Sequence, residues 1–279
     1  MTASPDDLRQ APLYRVLHAL ARGETTSEAL TGACLAAIAR DGHLNAWTWV
    51  DSAGAIAAAR ASDDRRAEGK PLGRLDGVPI AITDAFDIAG MPTGLGLPGH
   101  PGLASEDAQV VRRLRGAGAI FLGKTNLDEA AFGTVGRNPH FGDVRNPRLP
   151  DRAAGGASGG SAAALAAGHA VVALGVDTLG ATRIPAAFCG LVGHKPTLGE
   201  LSARGMAPAL RRLDCPGLLV RAVQDVGLVL PVLALAAFPV LGVLDAVRGL
   251  RVVLTFPRPA PDQAEASARA PRPVQGSTA

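Results

Sequence analysis

The sequence predicts an α/β fold, and three observations predict it. Short apolar runs at Ile80–Ile82, Ala119–Leu122 and Ala170–Leu174 have the length and the unbroken hydrophobicity of strands buried on both faces. Stretches with helical spacing separate those runs, and strands alternating with helices imply a largely buried sheet. The chain has 279 residues, of which 47% are hydrophobic and 19% charged, so it can fill a packed core and is not broadly disordered.

Each element follows in order. Met1 to Gln10 is polar, with Asp6 and Asp7, and does not read as a secretory signal. Residues 11–68 read as helical: Leu13 to Ala21, then Ser27 to Arg40 with Ser27 as the expected cap, then Ala53 to Glu68. Leu44 to Val50, carrying Trp47 and Trp49, is a short extended piece between the last two. Gly73 to Pro79 breaks the pattern ahead of the first buried strand. Asp107 to Arg115 is a helix, Ala119 to Leu122 the second strand, Ser161 to Ala167 a small-residue helix and Ala170 to Leu174 the third strand. Arg251 to Leu254 is expected as a fourth. Val226 to Leu244 holds 19 uncharged residues in a row, nominally enough for a membrane span. Pro231, Pro239, Gly227 and Gly242 interrupt it, so a buried helix or a pair of short helices is the better reading. Pro257 to Ala279 has five Pro, six Ala and one large aliphatic residue, Val274, and is expected to be a disordered tail. The expected division is therefore a helical region over 1–70, an α/β core over 71–256 and the tail over 257–279.

Composition excludes several functions. With 28 Lys+Arg against 25 Asp+Glu and only 10 aromatic residues, no basic stripe or stacking surface for nucleic acid emerges. Cys34, Cys189 and Cys215 are odd in number and widely spaced, which argues against disulfides or zinc and for a reducing cytoplasm. The six histidines show no metal-ligand spacing, and no metal or cofactor is expected. Only three of the basic residues are Lys: Lys70, Lys124 and Lys195.

The informative region runs from Gly73 to Asp225, where glycine-rich signatures come in a fixed order. Gly77-Val78-Pro79-Ile80-Ala81-Ile82-Thr83-Asp84 precedes Gly123-Lys124-Thr125-Asn126-Leu127-Asp128-Glu129. Gly155-Gly156-Ala157-Ser158-Gly159-Gly160-Ser161 comes next, followed by Gly175-Val176-Asp177-Thr178-Leu179-Gly180-Ala181-Thr182-Arg183-Ile184-Pro185, Phe188-Cys189-Gly190 and Lys195-Pro196-Thr197. One glycine run alone could be any tight turn, and neither a Walker A loop nor a dinucleotide fingerprint is present. Taken together, the series resembles the amidase signature family, which includes bacterial amidases and the amidase-type subunit of tRNA-dependent amidotransferases. The resemblance covers about residues 11–255 and is strongest over 73–200. It implies the amidase-signature fold, a mixed central sheet with helices on both faces, with the family's C-terminal part missing beyond Arg248-Gly249-Leu250-Arg251-Val252.

The resemblance also implies a mechanism, in which a serine attacks a carboxamide carbon, a serine on a cis peptide relays the proton and a neutral lysine is the base. In this chain the base position is Thr83, the relay position Ala157 and the nucleophile position Ala181. All three reactive side chains are absent. The oxyanion-hole positions are Thr178, Leu179 and Gly180, with Leu179 standing where the pattern has Gly; a backbone that must approach substrate or take positive φ would suffer there. Thr182 is the substitute nucleophile to weigh, against a reading in which it fills the slot of the family's Ile. Ser158 and Ser161 match serines with helix-start and packing roles. Lys124 and Lys195 match non-catalytic lysines, and His169 and His194 lie near the motifs without a defined part.

Three readings remain open at this stage. The first is a catalytically inactive amidase homologue that binds a small carboxamide or pairs with itself or with an active amidase. The second is an active amidase with atypical residues. The third is a degenerate gene product. None calls for nucleic acid or a membrane.

Overall fold

Six short strands form one mixed sheet in the computed structural model, which describes residues 4–99 and 102–234. The helices in chain order are α1 (Pro5–Gln10), α2 (Leu13–Ala21), α3 (Ser27–Arg40), α4 (Ser52–Ala67), α5 (Gln109–Gly116), α6 (Gly159–Ala166), α7 (Arg183–Phe188) and α8 (Val223–Leu233). The strands are β1 (Trp47–Val50), β2 (Pro79–Thr83), β3 (Ile120–Thr125), β4 (Val172–Asp177), β5 (Val192–His194) and β6 (Cys215–Val220). Their spatial order is β1-β3-β2-β4-β6-β5. The central trio β3-β2-β4 is parallel, and antiparallel strands flank it on both sides.

Side-chain alternation along the strands sorts the core into two layers. Ile80 and Ile82 of β2, Val172, Leu174 and Val176 of β4, and Leu218 and Val220 of β6 pack into one cluster. The intervening Ala81, Ala173 and Leu219 pack into the other. On the first face lie Leu13, Val16 and Leu20 of α2, Val110, Val111 and Leu114 of α5, and Val226, Val229 and Leu233 of α8. Across the sheet, Ala55 and Ala59 of α4, Ala162 to Leu165 of α6 and Ala186 of α7 close the second face. The second face is built largely of Ala, so its helices approach the sheet closely. Leu30 and Cys34 of α3 divide between the two layers.

Buried polar groups tie the layers together. The Arg221 guanidinium donates to the carbonyls of Leu165, Ala170, Val171 and Ala11, joining the end of α6, the lead-in to β4 and the start of the chain. Arg9 adds bonds to the carbonyls of Ala167 and Gly168, so cations satisfy the C-terminal end of α6. The Asp225 carboxylate accepts from the N–H groups of Leu13, Tyr14 and Ala222, holding the starts of α2 and α8 together.

Several sequence expectations need correction. The cap of α3 is Thr26, whose side chain accepts from Ala29 N–H; Ser27 is buried and donates instead to the Gly77 carbonyl. Helix α7 and strands β5 and β6 were not anticipated, and α1 occupies a stretch read only as polar. Of the long apolar run, α8 takes the first part with Pro231 inside it. Among the described residues no helix is long and apolar enough to cross a membrane. The strand expected at Arg251–Leu254 and the tail over 257–279 lie outside the described residues.

Candidate functional site

Thr83 ends β2, between β3 and β4, and shares the face of Ala81 on the α6 side of the sheet. It is fully buried, and its hydroxyl has no protein hydrogen-bond partner among the described residues. In register beside it on β3, Thr125 shares a 2.6 Å hydroxyl contact with Ser161 of α6. Ser161 in turn donates to the Leu174 carbonyl. The residues on either side of this point are committed elsewhere. Lys124 is completely buried, with its ammonium 2.8 Å from the Pro92 carbonyl, 3.0 Å from Thr93 Oγ1 and 3.1 Å from Asp84 Oδ1. Burial pushes the Lys124 pKa below its usual range, and the Asp84 carboxylate opposes that.

Ala157 opens the approach to α6, and the peptide bond joining it to Gly156 is cis. Its carbonyl accepts from Asp128 N–H, and the next N–H, that of Ser158, donates to the Ala181 carbonyl at 3.0 Å. That last bond brings the Ala157 and Ala181 segments side by side. Ser158 Oγ accepts from Val176 N–H and donates to the Val176 carbonyl, to which Thr182 Oγ1 also donates at 2.9 Å. Thr182 is fully buried. Its side chain faces Gly175 of β4 and Gly217 of β6, where a Cβ on either glycine would collide with Thr182. The Thr182 hydroxyl thus points into the sheet, one residue away from Ala181.

The turn between Asp177 and Arg183 is organised by the Asp177 carboxylate, which accepts from Gly180, Thr182 and Arg183 N–H and from the Arg183 guanidinium. Burial pushes its pKa up, but Arg183 and the Gly180 N–H outweigh that and hold it below the usual carboxylate range. At the positions expected for an oxyanion hole, the Gly180 N–H is engaged by Asp177, and Thr178 Oγ1 donates to Asp214 Oδ1 at 2.7 Å. Gly180 takes φ +101°, whereas Leu179 has no positive φ. The backbone at 179 accordingly tolerates a side chain. What Leu179 changes is the surface, because it is 66% exposed.

A cavity of about 150 Å³ opens beside Ala181. Phe132, Thr134, Thr178, Leu179, Ala181 and Leu210 contribute to its wall, which carries no charged side chain. Phe132 reaches it from a tight turn after Asp128 in which Ala130 and Ala131 both adopt left-handed backbone, at φ 56° and 57°. Asp128 braces this region by accepting from Gly136 and Arg137 N–H, and burial raises its pKa. The histidines lie elsewhere: His169 Nδ1 accepts from Trp47 Nε1 and His169 Nε2 faces Asp41 Oδ2 at 3.2 Å, while His194 sits half-buried in β5. Sequence reasoning missed Asp177, Asp214, Phe132 and Leu210. Asp177 and Arg183 stood inside a quoted motif and could have been paired. The other three carry no local signal.

The family model for amidases matches residues 29–236. The chain belongs to the amidase family. Its sequence is 48% identical over 218 residues to a glutamyl-tRNA(Gln) amidotransferase subunit from Salinibacter ruber, covering 77% of this chain and 42% of that protein. It is 43% identical over 216 residues to a 1-carboxybiuret hydrolase subunit from Pseudomonas sp. (strain ADP), covering 76% and 47%. Among solved structures, an amidase superposes with a TM-score of 0.78 at 40% identity, covering 82% of this chain and 53% of that one. The peptide amidase from Stenotrophomonas maltophilia superposes with a TM-score of 0.74 at 37% identity, covering 78% and 47%. This amidase-family chain thus spans about half the length of the relatives it matches, and its mixed sheet has the fold expected for the family.

Proposed function

We propose that this chain no longer hydrolyses amides and keeps the remains of the hydrolase site for binding. Most of the hydroxyls and amines near the missing ones are already committed. Thr83, Ala157 and Ala181 provide neither a base nor a nucleophile. Ser158, Ser161 and Thr182 are buried and bonded to main-chain carbonyls. Lys124 is paired with Asp84, Lys195 donates to the Pro196 carbonyl and Lys70 sits near Glu68 at the surface. A hydroxyl such as Thr83 does not hold a proton near pH 7, so it cannot accept one from a nucleophile as the family's lysine does. Incubating the purified chain with a panel of carboxamides tests this. No ammonia above buffer is expected, and release abolished by Thr182→Val would overturn the proposal by establishing Thr182 as a working nucleophile.

A role beside a partner chain is the second part of the proposal. Two relatives are named as subunits, and apolar side chains at Phe132, Leu179, Leu210 and Leu213 are exposed. Pairing with a second copy or with an active amidase would cover them. Light scattering behind size exclusion, alone and mixed with a full-length amidase, should show association; a clean monomer in both runs would count against it. Buried, unpaired Cys34, Cys189 and Cys215 support residence in a reducing compartment such as the cytoplasm.

A further inference from the structure

We propose that a second cleft, lined by Arg137, Arg145 and Arg152, binds a small organic polyanion, a molecule carrying two or more carboxylate or phosphate groups. The cleft shares no wall residue with the cavity beside Ala181, so the proposal is independent of whether the chain hydrolyses amides. The loop that forms it is locally basic. Residues 137–152 hold four Arg against two Asp, in a chain whose whole formal charge is +3.

The frame of this loop is fixed by the rest of the domain. Asn138 and Asn146 are buried, and their side-chain amides donate to the carbonyls of Gly96, Leu127 and Phe188. Val144 is buried as well, and its N–H donates to the Gly136 carbonyl while Arg145 N–H donates to the Leu44 carbonyl. Arg145 also bridges antiparallel to Ala153. The two guanidiniums of Arg145 and Arg152 are therefore carried by an anchored backbone.

Elsewhere in the molecule guanidiniums meet carboxylates: Arg65 meets Asp76, Arg115 meets Asp107 and Arg183 meets Asp177. In the cleft, Arg137 faces Asp143 Oδ2 at 3.7 Å, and Asp143 Oδ1 accepts from Asn138 N–H at 3.0 Å. Among the described residues the side chains of Arg145 and Arg152 have no hydrogen-bond or ion-pair partner. Of the wall carboxylates, Asp151 is left to oppose them. Each guanidinium is a permanently charged fork that takes a carboxylate or phosphate through two parallel N–H donors. A singly charged anion satisfies one fork, whereas a polyanion satisfies both and outweighs Asp151.

Size and wall chemistry agree. The cleft measures about 770 Å³, within the range of about 300–1,000 Å³ usual for small-molecule sites and far more than one phosphate fills. Val135, Val144 and Pro150 offer apolar surface to a carbon skeleton. Among the described residues no aromatic ring lines the cleft, so a nucleobase would find nothing to stack on.

Calorimetric titration of the full chain in low salt with citrate, fructose 1,6-bisphosphate and fructose tests the proposal. At least one of the two anions should bind about tenfold or more tighter than neutral fructose, and the tighter of them assigns the bound groups as carboxylate or phosphate. Arg145→Gln and Arg152→Gln should each weaken that anion about tenfold, as loss of hydrogen bonds to a charged group does. Asp151→Asn should tighten it about twofold. Raising NaCl from about 0.05 M to about 0.5 M should weaken it several-fold, because the cleft is open to solvent. Arg74→Gln, at an exposed arginine outside the cleft wall, should change nothing. Circular dichroism checks that each variant is folded; where an arginine variant is not, the Asp151→Asn and salt series decide, and affinity indifferent to both overturns the proposal. Anions bound no tighter than fructose, or binding indifferent to both arginine variants, overturn it too. Binding weakened equally by Arg74→Gln reports general surface charge and also overturns it.

Discussion

Replacing Lys124 by Met is the sharpest test of how this scaffold uses its one fully buried lysine. Methionine keeps the unbranched stem and removes the ammonium. Asp84 then retains the N–H groups of Gly94 and Gly96, at 3.1 Å and 3.3 Å, and loses its ion-pair partner. The Pro92 carbonyl and Thr93 hydroxyl lose a donor as well. Removing one member of a buried ion pair costs about 3–5 kcal/mol, since the remaining charge stays out of water. For a domain of this size each kcal/mol lowers Tm by roughly 2–4 °C, so the variant should melt roughly 6–20 °C lower. Differential scanning calorimetry with a urea series reads both quantities. Lys70→Met, whose ammonium is exposed and 3.5 Å from Glu68, is the control and should stay within about 0.5 kcal/mol of the parent. Adding Asp84→Asn to Lys124→Met should cost much less than Asp84→Asn alone, because the pair is coupled. A Lys124→Met protein as stable as its parent, or two additive substitutions, would refute the assignment of Lys124 to structure.

Further outcomes follow from the same packing. Thr83→Val swaps a buried hydroxyl with no protein partner among the described residues for a methyl of similar shape, and should raise stability by about 1–2 kcal/mol in urea unfolding; a loss would mean that the hydroxyl is bonded. Arg221→Met removes the guanidinium that donates to four main-chain carbonyls and should cost about 3–5 kcal/mol by thermal melting, with Arg221→Lys recovering only part because an ammonium cannot fork across four acceptors. Burial depresses the His169 pKa below 6.5, and protonating Nδ1 would break its bond from Trp47. Its contribution is therefore full above pH 6.5 and is lost as pH falls through the lowered folded value, so urea midpoints should drop on acidification and His169→Gln should flatten that drop. The Asp41 carboxylate, held down to about 2 by Arg40 and then by His169, adds a separate loss only as pH falls from 3.8 towards 2.

Local pattern was enough for much of the architecture. The Leu13–Ala21 and Ser27–Arg40 helices stand where apolar spacing placed them, and the three apolar runs became β2, β3 and β4 with boundaries shifted by up to three residues. These elements were legible because each buries a continuous face whose period is written in consecutive residues. Strands β5 and β6, on one side of the sheet, were not. The His194 and Cys215 segments owe their strand conformation to pairing: β6 lies antiparallel to β4, some forty residues earlier in the chain, and β5 is held by β6. Their own composition says little.

The site divides in the same way. The sequence by itself determined the side chains at the positions where the resemblance expects the reactive groups: Thr83, Ala157 and Ala181 carry neither an amine nor a serine hydroxyl in any conformation. Only the tertiary structure decided what the neighbours do. It turned the Thr182 hydroxyl into the sheet, locked Lys124 against Asp84 and set Phe132, Leu179 and Leu210 around one apolar cavity. Chemical identity is a property of each residue, whereas commitment of a hydroxyl, an amine or an apolar face depends on partners brought from distant parts of the chain.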